Sequence, residues 1–226
     1  MSDESNEFQV DAPDARPPEL TANQARVFAC LIEKHLATPN SYPLTTNSLI
    51  TACNQKTNRQ PVMSLTEGEV GHICNELVDL DLARIEYGSR ANKISHLALR
   101  TLNLSREEIA VLSILMLREP LTISEIKART DKMVAFDSLD KVQSTVQGLL
   151  DKTYPLLVLL GKGSGQREDR YSHTLCGEVD ISAFNFSQTA DTSKTSNTMT
   201  DNDTLARIEA LEAKVEKLEN LLQELL

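Results

Sequence analysis

The chain has 226 residues, 33 acids against 23 Lys and Arg, a formal charge of −10 and a pI near 4.9, with 40% hydrophobic and 25% charged residues. These are ordinary proportions for one or two globular domains. The acidic balance argues against a surface that clings everywhere to nucleic acid, and 4% aromatics without a Trp argue against a stacking platform for single strands. No apolar run approaches the roughly 18 residues of a membrane span, and Met1-Ser2-Asp3-Glu4 opens no signal peptide, so a cytoplasmic protein with no membrane partner is expected.

Residues 1–19, rich in acids with Pro13, Pro17 and Pro18, read as a disordered acidic tail. Thr21 opens an amphipathic helix with Ala25, Phe28, Leu31, Ile32 and Leu36 at helical spacing, and Thr21 with Gln24 fits a capping box. Beyond Pro39 and Pro43, Thr45 opens a short second helix with Leu49, Ile50 and Cys53 inward. The polar stretch Asn54 to Pro61 follows. Thr66 with Glu69 caps a third helix carrying Val70, Ile73, Cys74, Leu77 and Val78. Two extended pieces, Ala83 to Tyr87 and Ile94 to Leu99, flank a polar turn.

The order then repeats. Val111, Leu112 and Leu115 fall where Val27, Phe28 and Leu31 fell, and Pro120-Leu121-Thr122 echoes Pro43-Leu44-Thr45. Val142, Val146, Leu149 and Leu150 repeat the spacing of Val70, Cys74, Leu77 and Val78, and Leu156 to Leu160 and Arg170 to Leu175 flank a second polar turn. Such self-similarity predicts tandem units. The expected class is α+β, mainly α: two tandem winged-helix domains, each a helix-turn-helix with a β-hairpin wing, at 20–103 and 104–181. A Ser/Thr/Asn/Asp-rich linker at 182–203 leads to a C-terminal helix at 204–226.

Three runs carry a resemblance. C-N-Q-K-T-N-R-Q-P-V at 53–62, L-T-A-N-Q-A-R-V-F-A-C-L-I-E-K at 20–34 and G-Q-R-E-D-R-Y-S-H at 165–173 resemble the signature of the YceH-like family of bacterial proteins, over roughly residues 20–180. The resemblance implies two winged-helix domains in tandem and brings no site residues with it.

Cys30, Cys53, Cys74 and Cys176 show no C-x-x-C pairing, and His35, His72, His96 and His173 are dispersed. Reduced, buried thiols are expected rather than a metal site. No G-x-S-x-G, H-E-x-x-H or P-loop pattern occurs. No catalytic residue, cofactor or metal ligand is therefore assigned, and a non-enzymatic protein is expected. Gly161-Lys162-Gly163-Ser164-Gly165 leads to a strand rather than to a helix N-terminus, so it reads as a hairpin turn and not a phosphate loop.

The third helix of each unit is the one that enters the major groove in DNA-binding winged helices. In the first unit its outward residues include Glu67, Glu69, His72, Glu76 and Asp79, which repel phosphate. In the second they are Lys141, Ser144 and Gln147. The other bases lie in loops and wings. The candidate nucleic-acid contacts are Lys56, Asn58, Arg59 and Gln60 before the first recognition helix, Arg90 and Lys93 on the first wing, Lys141, and Lys162, Gln166, Arg167 and Arg170 on the second wing. The alternative for Lys56 to Pro61 is a structural loop whose amides and Arg59 satisfy helix ends or pair with acids of the third helix. The alternative for the wing bases is a solvated turn.

In the last segment Ile208, Val215 and Leu222 recur every seven residues, and Leu211, Leu218 and Leu225 do the same at an offset of three. β-Branched residues at a with Leu at d favour a parallel homodimer; the alternative is one amphipathic helix docked on its own body. Together these features point to a dimeric transcriptional regulator or chromosome-associated factor on double-stranded DNA. The rival is an acidic winged-helix scaffold that binds another protein.

Overall fold

The computed structural model describes residues 16–89, 91–118, 120–162 and 168–179. Its elements run α1 (Ala22–Ala37), a 3-10 turn (Pro39–Ser41), β1 (Leu44–Thr45), α2 (Thr46–Cys53), α3 (Glu67–Asp79), β2 (Ala83–Glu86), β3 (Lys93–His96) and α4 (Ala98–Thr101). Then come α5 (Arg106–Met116), α6 (Ile123–Thr130), α7 (Leu139–Leu150), β4 (Leu157–Gly161) and β5 (Arg170–His173). The described residues are thus mainly helical, with small antiparallel sheets.

Helix starts follow local chemistry. Thr21, Thr66, Ser105 and Thr122 each accept from the backbone N–H three residues on, and Gln24, Glu69, Glu108 and Glu125 reach back to the cap N–H. Each box satisfies two donors that a helix N-terminus would otherwise leave open. Thr45 and Ser138 cap α2 and α7 with the side chain alone.

One sheet has the order β1-β3-β2, with Leu44 opposite Ile94 and Ile85 opposite Ile94 on its other side. The other is the hairpin β4-β5, and Leu121 forms an isolated antiparallel bridge to Tyr171. Two details depart from the sequence expectation. The segment expected to stay extended to Leu99 turns helical after His96, whose Nδ1 accepts from the Ala98 N–H at the start of α4. Leu44 and Thr45 form a strand before α2 begins.

The deepest layer is the pair α1 and α5, which pack on each other. From Ile109 to Met116 every residue of α5 is buried, and in α1 the run Gln24 to Ile32 is buried throughout. A helix buried all round serves two neighbours at once. α1 faces α2 and α3 as well as α5, and α5 faces α6, α7 and β5 as well as α1. The residues before and after α4 therefore share one hydrophobic core, which neither half has enough residues to bury alone.

Cys30, Cys53 and Cys74 are buried free thiols, while Cys176 is exposed. No helix among the described residues is long and apolar enough to cross a membrane.

Candidate functional site

The chain between α2 and α3 is pinned at both ends. The Asn54 side chain donates from Nδ2 to the Leu65 carbonyl at 2.8 Å and accepts from the Leu65 N–H at 2.8 Å. Between these points the loop wraps around two buried guanidiniums. Arg26 of α1 donates to the carbonyls of Cys53 at 3.3 Å and Pro61 at 2.7 Å. Arg59 donates from Nε to the Ala52 carbonyl at 3.0 Å, from Nη1 to the Asn58 carbonyl at 2.9 Å, and from Nη1 and Nη2 to the two Glu33 oxygens.

Arg59 is thus not a surface contact. It is 5% exposed, and its fork is consumed by Glu33 and two carbonyls. The structural alternative for this loop describes it, with one difference: the acid it pairs with lies on α1 and not on the third helix. Burial pushes the Glu33 carboxyl up, but the Arg59 hydrogen bonds and charge more than reverse this and hold it below the usual carboxylate range. Cys53, against Cys30 in the same core, has its thiol pushed up by the Cys30 hydrogen bond and by burial.

Asn58 sits at φ 62°, a left-handed conformation that Asn tolerates better than most residues. It turns the chain so that the Gln60 N–H donates to the Leu117 carbonyl at 2.9 Å. This bond carries the first half's loop to the end of α5 in the second half.

There the two halves enclose a cleft of about 240 Å³. The first half contributes Asn58, Arg59 and Gln60. The second contributes Arg118, Pro120, Leu121, Glu125, Arg129 and Arg170. Arg170 donates from Nη1 to the Pro120 carbonyl at 2.7 Å and to Glu125 at 3.0 Å. Arg118 Nη1 is buried and has no hydrogen-bond partner among the described residues. Burial lowers the pKa of the Arg118 guanidinium and the neighbouring Arg129 and Arg59 lower it further, while the Glu33 charge opposes the fall. The cleft therefore concentrates positive charge where two halves of the chain meet.

Four further candidates are not among the residues that line this cleft. Lys56, Lys93, Lys141 and Lys162 are exposed, the first on the α2–α3 loop, the second opening β3 opposite Glu86, the third on α7, the last just after β4. Ser144 and Gln147 share the open surface of α7, and Glu67, Glu69, His72 and Asp79 are open on α3. Glu76 instead accepts from Gln24 Nε2 at 3.0 Å and ties α3 to α1. Arg90, Gln166 and Arg167 lie outside the described residues. So do Ile208, Leu211, Val215, Leu218, Leu222 and Leu225 of the heptad segment.

Arg118 and Arg129 were not marked by the sequence. Arg118 follows the apolar run of α5 and Arg129 lies in the last turn of α6, so each reads as an ordinary basic helix end. Only the approach of the 58–60 loop, from a distant part of the chain, makes them part of a site.

Residues 20–166 match the family model described as "Protein of unknown function, DUF480". A UPF0502 protein of Stenotrophomonas maltophilia is 40% identical over 216 residues, covering 96% of this chain and 97% of the relative. A UPF0502 protein of Xanthomonas euvesicatoria is 39% identical, covering 91% and 92%. One of Cellvibrio japonicus is 41% identical, covering 97% and 94%. The near-complete coverage of both partners, together with the signature runs at 20–34 and 53–62, places the chain in the DUF480/UPF0502 family of bacterial proteins, consistent with the YceH-like resemblance.

Proposed function

We propose that the protein is a non-enzymatic, cytoplasmic tandem winged-helix factor that binds double-stranded DNA as a regulator or chromosome-associated protein. The observation that carries this is the topology repeated in both halves. Three helices are followed by a hairpin, and the hairpin's second strand pairs back onto the short segment before the second helix. In the first half this is β3 on β1, Leu44 opposite Ile94, and in the second it is Tyr171 on Leu121. That connectivity supports a helix-turn-helix with a wing in each half.

The two halves differ in what they offer a duplex. α3 exposes Glu67, Glu69 and Asp79, and carboxylates beside phosphates are repulsive, so it is a poor groove helix. α7 exposes Lys141, Ser144 and Gln147, a short polar face suited to one groove. Lys93 and Lys162 on the hairpins and Lys56 on the loop would contact backbone, which positions without reading sequence.

The test is fluorescence anisotropy of the full chain on random duplex DNA at two salt concentrations. Salt-sensitive binding is expected, with Lys141→Ala and Lys162→Ala each lowering the slope of log K against log salt by about 1. Absence of binding at low salt would overturn the DNA reading. It would favour the acidic scaffold, for which the exposed carboxylates of α3 are the specific support. The heptad segment adds an independent expectation: removal of residues 204–226 should convert a dimer to a monomer in sedimentation. A truncated chain that still dimerises would put the contact elsewhere.

A further inference from the structure

Among the described residues, the cleft between the two halves holds more positive charge than its carboxylates balance. Four arginines line it: Arg59, Arg118, Arg129 and Arg170. Two are accounted for, Arg59 by Glu33 and Arg170 by Glu125. Glu125 is further committed, since the same oxygen accepts from the Thr122 N–H at 2.9 Å in the α6 capping box. Among the described residues Arg118 and Arg129 have no carboxylate ion-pair partner, and Arg118 Nη1 is buried with no hydrogen-bond acceptor. Burying a guanidinium nitrogen without a partner, beside a second guanidinium, is costly in a folded protein. An arrangement of this kind is relieved by an anion.

We propose that this cleft is a binding site for a small free phosphate-class dianion, inorganic phosphate or a phosphomonoester, held by Arg118 and Arg129 and bounded by Asn58, Gln60 and Arg170. The half-buried Arg118 and the exposed Arg129 offer two positive charges to a dianion. Arginine's planar fork suits the several oxygens of a phosphate. The size agrees: about 240 Å³ falls below the range of drug-sized ligand pockets. The occupant is a free ion rather than a phosphate of a nucleic-acid backbone, because about 240 Å³ walled by residues of both halves admits a small ion and not a duplex. The site would also couple the halves. Its ligand would bridge the 58–60 loop of one to the α5–α6 turn of the other, next to the bond from Gln60 N–H to the Leu117 carbonyl. Such a site goes beyond the DNA reading and does not depend on it.

The test is calorimetric titration and thermal unfolding of the full chain with sodium phosphate, against sodium chloride at equal ionic strength. A saturable heat with one ion per chain and a phosphate-specific rise in Tm are expected. Arg129→Gln, at an exposed position in the last turn of α6, should weaken phosphate binding roughly tenfold. Arg118→Gln should do the same, with a Tm in phosphate-free buffer no lower than the parent's. Equal responses to phosphate and chloride would overturn the proposal. So would phosphate affinity unchanged in both variants, the mark of an adventitious ion only. The source is decided by repeating the titration with excess duplex DNA. Unchanged phosphate affinity supports a free dianion. Loss of phosphate binding to the duplex would assign the cleft to a nucleic-acid phosphate and overturn the free occupant.

Discussion

Arg59→Ala will destabilise the folded body by about 3 kcal/mol, because it removes one member of a largely buried ion pair and leaves the other. The Arg59 side chain is fully buried and that of Glu33 is 17% exposed. The substitution also strips the Ala52 and Asn58 carbonyls of their donor. Lys34, at 3.2 Å from Glu33, softens the loss, which places the expectation at the lower end for a broken buried pair. For a body of this size that is a fall in Tm of roughly 6–12 °C. Arg59→Lys should recover only part of it, since one ammonium cannot reach both Glu33 oxygens and two carbonyls at once. The pairwise nature of the effect is checked by a cycle with Glu33→Gln and Arg59→Met. The double variant should lose less than the two single losses added together. An Arg59→Ala protein that unfolds at the parent temperature and binds duplex more weakly would mean that Arg59 is a surface contact after all.

That expectation marks the boundary of what the sequence could tell. Capping boxes such as Thr21 with Gln24 and Thr66 with Glu69 are local, and the structure places them where their spacing puts them. The equivalence of Val111, Leu112 and Leu115 with Val27, Phe28 and Leu31 is also visible in the sequence, and α1 and α5 pack against each other. What is not local is hidden. A base in a polar stretch looks exposed, and nothing within the run 54–61 announces that Glu33, 26 residues earlier, lies beside Arg59. β1 is two residues long and exists because Ile94 and Lys93 come to pair with it. Arg118 acquires its neighbours in the same way, through Gln60 arriving from the other half. The candidate site is thus assembled from long-range contacts. Residue type marked Asn58, Arg59, Gln60 and Arg170 as duplex contacts, with a structural loop as the alternative for 56–61 that Arg59 follows, and did not mark Arg118 and Arg129.

Acidification below pH 6.5 will destabilise the fold through histidines that are buried neutral. His96 Nδ1 accepts from the Ala98 N–H at 3.2 Å, so its proton is assigned to Nε2, which donates to His35 Nδ1 at 2.8 Å. Tyr42 stacks on His35, and its hydroxyl accepts from the His96 backbone N–H. In this network a second proton on either ring at Nδ1 destroys a hydrogen bond. Burial, followed by the His35 charge, lowers the His96 pKa to about 3, and burial alone lowers His173 to about 4. His35 is shifted downward as well, by burial and then by Arg106. The unfolded chain titrates its histidines near the ordinary value of about 6.5. The folded state therefore binds fewer protons, and its stability is full above pH 6.5 and declines as pH falls toward the folded pKa values. By pH 5 the cost is about 2 kcal/mol for each of His96 and His173. The Glu33 carboxylate, held below its usual range by Arg59, adds its own acid sensitivity only at lower pH, so the window from 6.5 to 5 isolates the histidines. Urea unfolding at pH 7.5 and 5.0 checks this. His96→Gln keeps a donor and an acceptor in the same place but cannot charge, so the difference between the two pH values should shrink by about 2 kcal/mol. A parent protein equally stable at both, or a His96→Gln variant with an undiminished pH dependence, would show that His96 is not held neutral by the fold.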